Sequence, residues 1–170
     1  NYSVEERSIL FCQSNTGETA YALNDLVIKE SENRGLIRLK VKSEQRLISE
    51  YHCDGLIFAT PTGSTAYNLS AGGPIISPNV EAIAMTPICP HTLGNRSVIF
   101  DSKTPIEVSF DDLPAAPSVS IDGKKHFQED SLSLISIQLA KERFLLIHNQ
   151  TNTHFSIVRD KLNWGDPTVR

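Results

Sequence analysis

Residues 36–59, LIRLKVKSEQRLISEYHCDGLIFA, contain three consecutive segments with the patterns of β-strands. Residues 36–42 alternate apolar and basic side chains, the period-two pattern of a strand with one buried face. Residues 46–52 are predicted to continue the same ribbon. Residues 55–59 form a continuous apolar run, which is typical of a strand buried on both faces. This stretch therefore favours a β architecture.

Similar segments recur on both sides of this stretch at spacings of about ten residues, the pattern of an all-β sandwich. Asp122-Gly123 predicts a type I′ hairpin turn, because both central residues of that turn need positive φ. Further strands are predicted at residues 8–13, 22–29, 97–100, 106–110 and 118–121, and a second hairpin at residues 133–139 and 143–148, turning at 140–142. We therefore expect one mainly β, two-sheet domain over residues 1–170.

Two segments have helical patterns. Residues 64–69, directly after Gly63, predict a short helix. Residues 155–164, FSIVRDKLNW, repeat apolar side chains at spacings of three and four, which predicts a closing amphipathic helix. Gly165 and then Pro167 predict where that helix ends.

Composition and charge narrow the class of protein. The chain has 39% hydrophobic and 21% charged residues, as expected for a globular domain. Its formal net charge of −4 argues against nucleic acid or an anionic membrane as partner, since both select for a basic face. No apolar run approaches the roughly 20 residues of a transmembrane helix.

Cysteine usage predicts the compartment. Cys12, Cys53 and Cys89 are odd in number and widely separated, which predicts a reducing, cytoplasmic location. None of them forms a metal-ligand spacing with the five histidines, so no metal site is predicted. The chain begins at Asn1 rather than Met, which predicts a fragment of a longer protein.

Residues 54–74, DGLIFATPTGSTAYNLSAGGP, carry the densest group of polar side chains. Four hydroxyls crowd the turn around Gly63: Thr60, Thr62, Ser64 and Thr65. The backbone N–H groups at such a helix start are met either by a capping hydroxyl or by a ligand anion, and both alternatives stay open. Because Gly63 lacks a Cβ, a ligand can approach its backbone. No lysine follows this glycine, so the segment is not a Walker A loop.

TPTGSTAY at residues 60–67 resembles the signature segment of NAD kinases. Asn24-Asp25 resembles the short Asn-Glu/Asp motif of the same family. The similarity continues through SAGGPI, PICPHTLGNR and KLNWG at residues 70–75, 87–96 and 161–165, and so covers nearly the whole chain. The resemblance implies a C-terminal, NAD-binding β-sandwich domain of the NAD kinase/diacylglycerol kinase-like fold.

The resemblance also implies a reaction and a missing part. The reaction is phosphoryl transfer from ATP, or polyphosphate, to the 2′-hydroxyl of the adenosine ribose of NAD, with Mg²⁺ or another divalent cation offsetting charge. Family members carry a Gly-Gly-Asp-Gly motif in an N-terminal α/β domain, and its aspartate is regarded as the base. That motif does not occur in this chain, so no catalytic residue and little turnover are expected from it. The family's assembly implies a homodimer or homotetramer.

Residue roles are implied by the same motifs. Asn24 and Asp25 would contact the adenine edge or the ribose hydroxyls, and Asp54 the nicotinamide carboxamide. The rest of the NAD-binding set is Thr65, Ala66, Tyr67, Asn68, Leu69 and Ser70. There are three secondary candidates. His52 is expected near the nicotinamide end, Cys89 at a neighbouring subunit's site, and Lys124 near the phosphates.

Plain structural interpretations stay open beside these roles. Asn24-Asp25 is also compatible with an Asx-type bend, Asp54 with an ordinary Asp-Gly turn, and Tyr67 with core packing. Asp122 is most simply a turn residue. At the level of the whole protein, the alternatives are a related lipid kinase and a β-sandwich module that binds nucleotide without catalysis.

Overall fold

The computed structural model describes residues 2–31, 35–92, 94–110, 113, 116–149 and 153–163. These residues form two antiparallel six-stranded sheets. The first sheet contains β1 (Tyr2–Ser14), β2 (Thr19–Ala22), β4 (Ile37–Ser43), β5 (Arg46–Cys53), β9 (Ile106–Ser109) and β12 (Leu134–Asn149). The second contains β3 (Asp25–Lys29), β6 (Gly55–Ala59), β7 (Ala82–Ile88), β8 (Val98–Asp101), β10 (Ser118–Ile121) and β11 (Lys124–His126).

The strand orders are β2-β1-β12-β9-β4-β5 and β11-β10-β3-β6-β7-β8. One main hydrophobic core lies between the sheets, because inward side chains from both contribute to it. Leu10 and Ile135 come from the first sheet, and Leu26 and Phe58 from the second. The expected all-β, two-sheet architecture is confirmed. No helix among the described residues has the length and hydropathy needed to cross a membrane.

The prediction that residues 55–59 are buried on both faces is confirmed. Every residue of β6 is buried. Leu56 and Phe58 belong to the core between the sheets, while Ile57 and Ala59 pack with Ile76 in a second cluster on the opposite face. The segment that follows β6 therefore lies over the outer face of this sheet.

The predicted hairpin around residues 140–142 is wrong. β12 is one continuous strand that pairs with β1 along nearly its whole length. The register shifts between the pairs Ser8↔Arg143 and Leu10↔Leu139, so residues 140–142 form a bulge opposite Ile9. Ala140 is buried while Lys141 and Glu142 are exposed, and the bulge bends the strand without ending it.

Two further details differ from the sequence predictions. The strand predicted at 22–29 is split into β2 and β3, which belong to different sheets, and β7 was not predicted. The turn at Asp122-Gly123 is confirmed: the two residues have φ of 45° and 78°, and β10 pairs with β11 across them.

Both predicted helical segments are present with altered bounds. A 3-10 turn (Gly63–Thr65) is followed by one α-helical turn, α1 (Tyr67–Ser70), and the chain later forms α2 (His154–Leu162). Thr153 caps α2 by accepting a hydrogen bond from the backbone of Ser156. Asn163, in a left-handed conformation, follows its last turn. The predicted end signals, Gly165 and Pro167, lie outside the described residues, as does Trp164.

Candidate functional site

The carboxylate of Asp122 holds the bend between β2 and β3. Its Oδ2 accepts a hydrogen bond from the backbone N–H of Leu23 at 2.8 Å. Its Oδ1 accepts from Asn24 at 2.7 Å and from Asp25 at 3.1 Å. In return, the N–H of Asp122 donates to the carbonyl of Asp25 at 3.0 Å. The bend of the Asn-Asp motif is therefore built by a residue about a hundred positions away, in the manner of a capped turn.

The same bend is fastened to the signature segment by Thr60. The backbone N–H of Thr60 donates to the carbonyl of Asn24 at 2.9 Å, and its hydroxyl donates to the carbonyl of Leu23 at 2.6 Å. Thr60 Oγ1 also accepts from the N–H of Gly63 at 3.0 Å. The two sequence motifs are thus in direct contact.

This packing corrects the interpretation of Gly63. A Cβ on Gly63 would lie 2.0 Å from the carbonyl oxygen of Asn24, so the glycine makes room for the protein's own backbone and not for a ligand. Its N–H is capped by the Thr60 hydroxyl, and the N–H of Ser64 donates to Pro61 at 3.3 Å. The sequence left two alternatives open for the amides of this turn, capping by the protein or binding of a ligand anion. These two amides are capped by the protein's own oxygens.

Ser64 and Asn68 form a fully buried polar network below the signature segment. Ser64 Oγ donates to the carbonyl of Pro61 at 2.6 Å and accepts from the N–H of Ile76 at 3.0 Å. Asn68 Nδ2 donates to the carbonyls of Ser64 and Pro74, both at 3.1 Å. Its Oδ1 accepts from the hydroxyl of Thr86 at 2.7 Å. The Asn68 side chain therefore positions the segment, which leaves only its backbone for a ligand.

An open cavity of about 440 Å³ lies at the other end of β3. Asp54 and Tyr67, predicted from separate parts of the signature stretch, both line it. The Lys29 ammonium sits 4.4 Å from the centroid of the Tyr67 ring, within range of a cation–π interaction. The remaining lining residues are Glu30, Gly35 and Ile88. The exposed ring of Tyr67 is therefore not core packing.

Asp25 is the buried carboxylate of the candidate site. Burial, followed by the negative charge of Asp122, raises the pKa of Asp25 to about 6. A carboxylate kept largely out of water is a strong hydrogen-bond acceptor once ionised. Its place as the first residue of β3, paired with Ala59, puts it at the same edge as the Asn24 bend.

The remaining candidates from the signature segment spread over its surface. Ala66 and Ser70 are exposed and Leu69 is half-buried. Thr65 lines a second cavity of about 340 Å³, together with Arg7 and His154. Arg7 in that cavity forms an ion pair with Glu5. Burial, and then the charge of Arg7, lowers the pKa of His154.

The secondary candidates are all at the surface. His52 is an exposed residue of β5 whose Nε2 lies 3.6 Å from Glu50 Oε1. Cys89 follows β7 with φ of 46°, one position beyond the Gly55↔Ile88 pair, and so stands beside Asp54. Lys124 is exposed at the start of β11, next to the Asp122-Gly123 turn.

The sequence interpretation missed three residues of this region. Lys29 ends β3 and Glu30 follows it, and both line the cavity because β3 pairs with β6 in the register Lys29↔Gly55. Asp122 was assigned only a turn. The apolar and β-branched residues of segment 22–29 pointed to a strand but not to its neighbours, so no local signal identified these contacts.

Thiolate chemistry at the two buried cysteines, Cys12 and Cys53, and a multi-residue metal site find no support in the described residues. Burial raises the pKa of Cys12 far above its ordinary value, and that of Cys53 to about 11. Neither is therefore a thiolate near neutral pH. Among the described residues, no group of three or more His, Cys, Asp or Glu side chains is placed to hold a metal ion.

Comparison with known proteins agrees with the motifs and the fold. The family model described as the ATP-NAD kinase C-terminal domain matches residues 23–149. An NAD kinase from Geotalea daltonii is 35% identical over 170 residues, covering 98% of this chain and 60% of that protein. One from Pseudomonas putida is 35% identical and covers 97% and 57%. The chain thus spans about 60% of the length of these relatives.

Two solved structures share the fold. Yeast NADH kinase complexed with NADH superposes with a TM-score of 0.88 at 29% identity, covering 96% of this chain and 49% of that one. An NAD kinase from Archaeoglobus fulgidus in complex with ATP gives a TM-score of 0.80 at 25% identity, covering 95% and 61%. With its two joined motifs, its sandwich and these matches, the chain belongs to the family of the ATP-NAD kinase C-terminal domain.

Proposed function

We propose that this chain is the NAD-binding part of an NAD kinase, which phosphorylates the 2′-hydroxyl of the adenosine ribose of NAD with ATP or polyphosphate. The observation that carries the proposal is the joining of the two motifs around β3. The Asn24-Asp25 bend lies at one end of this strand, and the cavity of Asp54 and Tyr67 lies at the other. Four residue steps along a strand separate the two ends by about 13 Å.

This spacing suits a ligand made of two nucleosides joined by a pyrophosphate. Ionised Asp25 accepts hydrogen bonds from ribose hydroxyls, and the Asn24 amide offers two donors and an acceptor to the ribose or the adenine edge. At the other end, Asp54 accepts from the carboxamide of nicotinamide, and the Tyr67 ring presents a face for stacking. Lys29, above the same ring, supplies a cation for the pyrophosphate.

The contribution of these residues to catalysis is orientation. A bound ribose whose hydroxyls are held by Asp25 has lost most of its rotational freedom before the donor arrives, which lowers the barrier of an otherwise bimolecular transfer. The base that takes the 2′-hydroxyl proton is proposed to come from a Gly-Gly-Asp-Gly segment outside these 170 residues. Among the described residues, no group of three or more His, Cys, Asp or Glu side chains is placed to hold the divalent cation of the reaction. When present, that cation offsets charge on the donor phosphates.

A catalytic α/β domain is proposed to dock on the far end of the β1–β12 ribbon. The first half of β1, the second half of β12 and α2 expose large apolar side chains on both faces of the ribbon: Tyr2, Val4, Phe144, Leu145, Leu146, Ile147, Phe155, Ile157 and Leu162. Apolar surface of this extent marks a protein interface.

We propose in addition a homodimer or homotetramer and a cytoplasmic location, the latter supported by the three unpaired, dispersed cysteines.

Calorimetric titration of the chain with NAD tests the proposal. Tyr67→Ala and Asp54→Ala are expected to weaken binding at least tenfold, about 1.4 kcal/mol each. Tyr21→Ala is the control, because Tyr21 is an exposed tyrosine on β2 that packs on Phe11, away from the cavity. Equal affinity in all four proteins would contradict the proposed site.

Activity is tested by supplying the proposed catalytic domain. A separately produced Gly-Gly-Asp-Gly domain from a relative, added in trans with ATP and Mg²⁺, is expected to generate NADP only when the parent chain is present. NAD binding that never leads to NADP in this mixture would favour a nucleotide-binding module without catalysis.

A further inference from the structure

Asp122 stands in a turn that does not need its carboxylate. The two central residues of a type I′ turn need only positive φ, which Asn and Gly also adopt readily. The hydrogen bonds of the Asp122 side chain all leave the hairpin: they go to the backbone of Leu23, Asn24 and Asp25. The shortest of these bonds, the 2.7 Å bond from the N–H of Asn24, joins residues that are 98 positions apart in the sequence.

Three donors converging on one carboxylate form a specific acceptor site. An aspartate has two oxygens with about four lone pairs, enough for three N–H groups without competition. An asparagine has one such oxygen, and its NH₂ group would face the N–H of Leu23. The side chain is therefore matched in charge and shape to three consecutive amides, as charge-assisted hydrogen bonds to backbone N–H groups require.

The bond in the opposite direction fixes the register of the contact. The N–H of Asp122 donates to the carbonyl of Asp25, and the neighbouring pair Ile121↔Leu26 continues the ladder between β10 and β3. The hairpin tip and the bend thus form one rigid unit, and on its far side Thr60 holds the carbonyl of Asn24.

We propose that Asp122 is a positioning residue of the NAD site, which holds the Asn24-Asp25 bend in the conformation that presents both side chains to the adenosine ribose. The inference rests on the proposed function. Asp122 acts through the backbone of the bend and does not touch the ligand. Its loss changes the binding of NAD while the sandwich stays folded.

Two substitutions distinguish the effect of the Asp122 carboxylate from the effect of the turn conformation. Asp122→Gly keeps a residue that favours positive φ and removes all three acceptor bonds, and it is expected to weaken NAD binding on the order of tenfold. Asp122→Asn keeps one acceptor oxygen and is expected to recover part of that loss. Asp101→Ala is the control. Asp101 ends β8, and its carboxylate accepts hydrogen bonds from Lys103 and Thr104 in a surface turn.

Amide hydrogen exchange provides a readout that does not depend on NAD. In Asp122→Gly, the amides of Leu23, Asn24 and Asp25 are expected to exchange faster, while those of β6 and β7 keep the protection of the parent. Unchanged exchange at these three amides would overturn the proposed contact directly.

Calorimetry completes the test. The expected order of NAD affinity is parent and Asp101→Ala first, then Asp122→Asn, then Asp122→Gly. Faster exchange at the bend with the NAD affinity of the parent would overturn the positioning role alone. A parent chain that fails to bind NAD, even with the added catalytic domain, would overturn the proposed function and the inference with it.

Discussion

The carbonyl oxygen of Asn24 occupies the space in which a side chain on Gly63 would stand. A Cβ there would lie 2.0 Å from this oxygen and 2.4 Å from the carbonyl carbon. Because the neighbour is backbone held by Thr60, it cannot swing away as a flexible side chain would. The contact joins the Asn-Asp bend to the signature segment, and a side chain at position 63 separates them.

Gly63→Ala is therefore expected to destabilise the fold by about 3 kcal/mol or more, the upper range for overpacking. Gly94→Ala is the matched control, because a Cβ on Gly94 meets nothing within 4 Å. Urea unfolding of both variants measures the difference. Similar midpoints for the two variants would contradict the close packing of Gly63 on Asn24.

Removing the hydroxyl of Thr86 is expected to destabilise the network below the signature segment. Thr86→Val leaves Asn68 Oδ1 buried without its 2.7 Å donor, and an orphaned buried acceptor costs about 1–3 kcal/mol. Thr104→Val removes a 2.7 Å bond of the same kind, to Asp101 in a surface turn, where water replaces it. Chemical denaturation is expected to show a clear loss for the first variant and a much smaller one for the second.

Stability is expected to depend on pH through Asp25. The pKa of Asp25 is about 6 in the folded protein against an ordinary value of 3.8, so the folded state binds more protons between these two values. The free energy of unfolding contributed by this group therefore falls as pH rises from 3.8 to about 6. Asp25→Asn removes this term. The melting temperature of the variant, relative to the parent, should rise across that window, and parallel curves would contradict the raised pKa.

Lys29→Met is expected to weaken NAD binding about tenfold, because the substitution removes a cation from above the Tyr67 ring and from the proposed pyrophosphate site. Lys103→Met, at an exposed lysine just after β8, controls for the change in net charge. Calorimetry at low and moderate salt checks both variants. An effect of equal size for the two lysines would indicate general electrostatics in place of a local contact.

Thiol reactivity is expected to follow burial. Cys89 is exposed, whereas Cys12 and Cys53 are buried and have raised pKa values, so one thiol per folded chain should react rapidly with a chromogenic disulfide reagent. All three should react in denaturant. In Cys89→Ser the rapid phase should disappear. A rapid phase that persists in this variant would show that a core thiol is accessible.

Local patterns predicted the secondary structure well where neighbours along the chain decide it. The apolar run at residues 55–59 requires burial on both faces wherever the strand lies, and the positive φ at Asp122-Gly123 is a property of that dipeptide. Residues 140–142 misled for the opposite reason. Whether they turn the chain or bulge within a strand depends on β1, which lies far away in sequence and holds both halves of β12 in one ladder.

By itself, the sequence determined the β architecture and the family, because strand periodicity and the TPTGSTAY and Asn24-Asp25 motifs are written in consecutive residues. Only the tertiary structure decided what surrounds these motifs. Strand order brings the carboxylate of Asp122 to the Asn24-Asp25 bend, and the register of β3 on β6 brings Lys29 into the cavity with Tyr67. Such contacts join residues that are distant along the chain, and their hydrogen bonds depend on ångström-scale placement that no local pattern encodes.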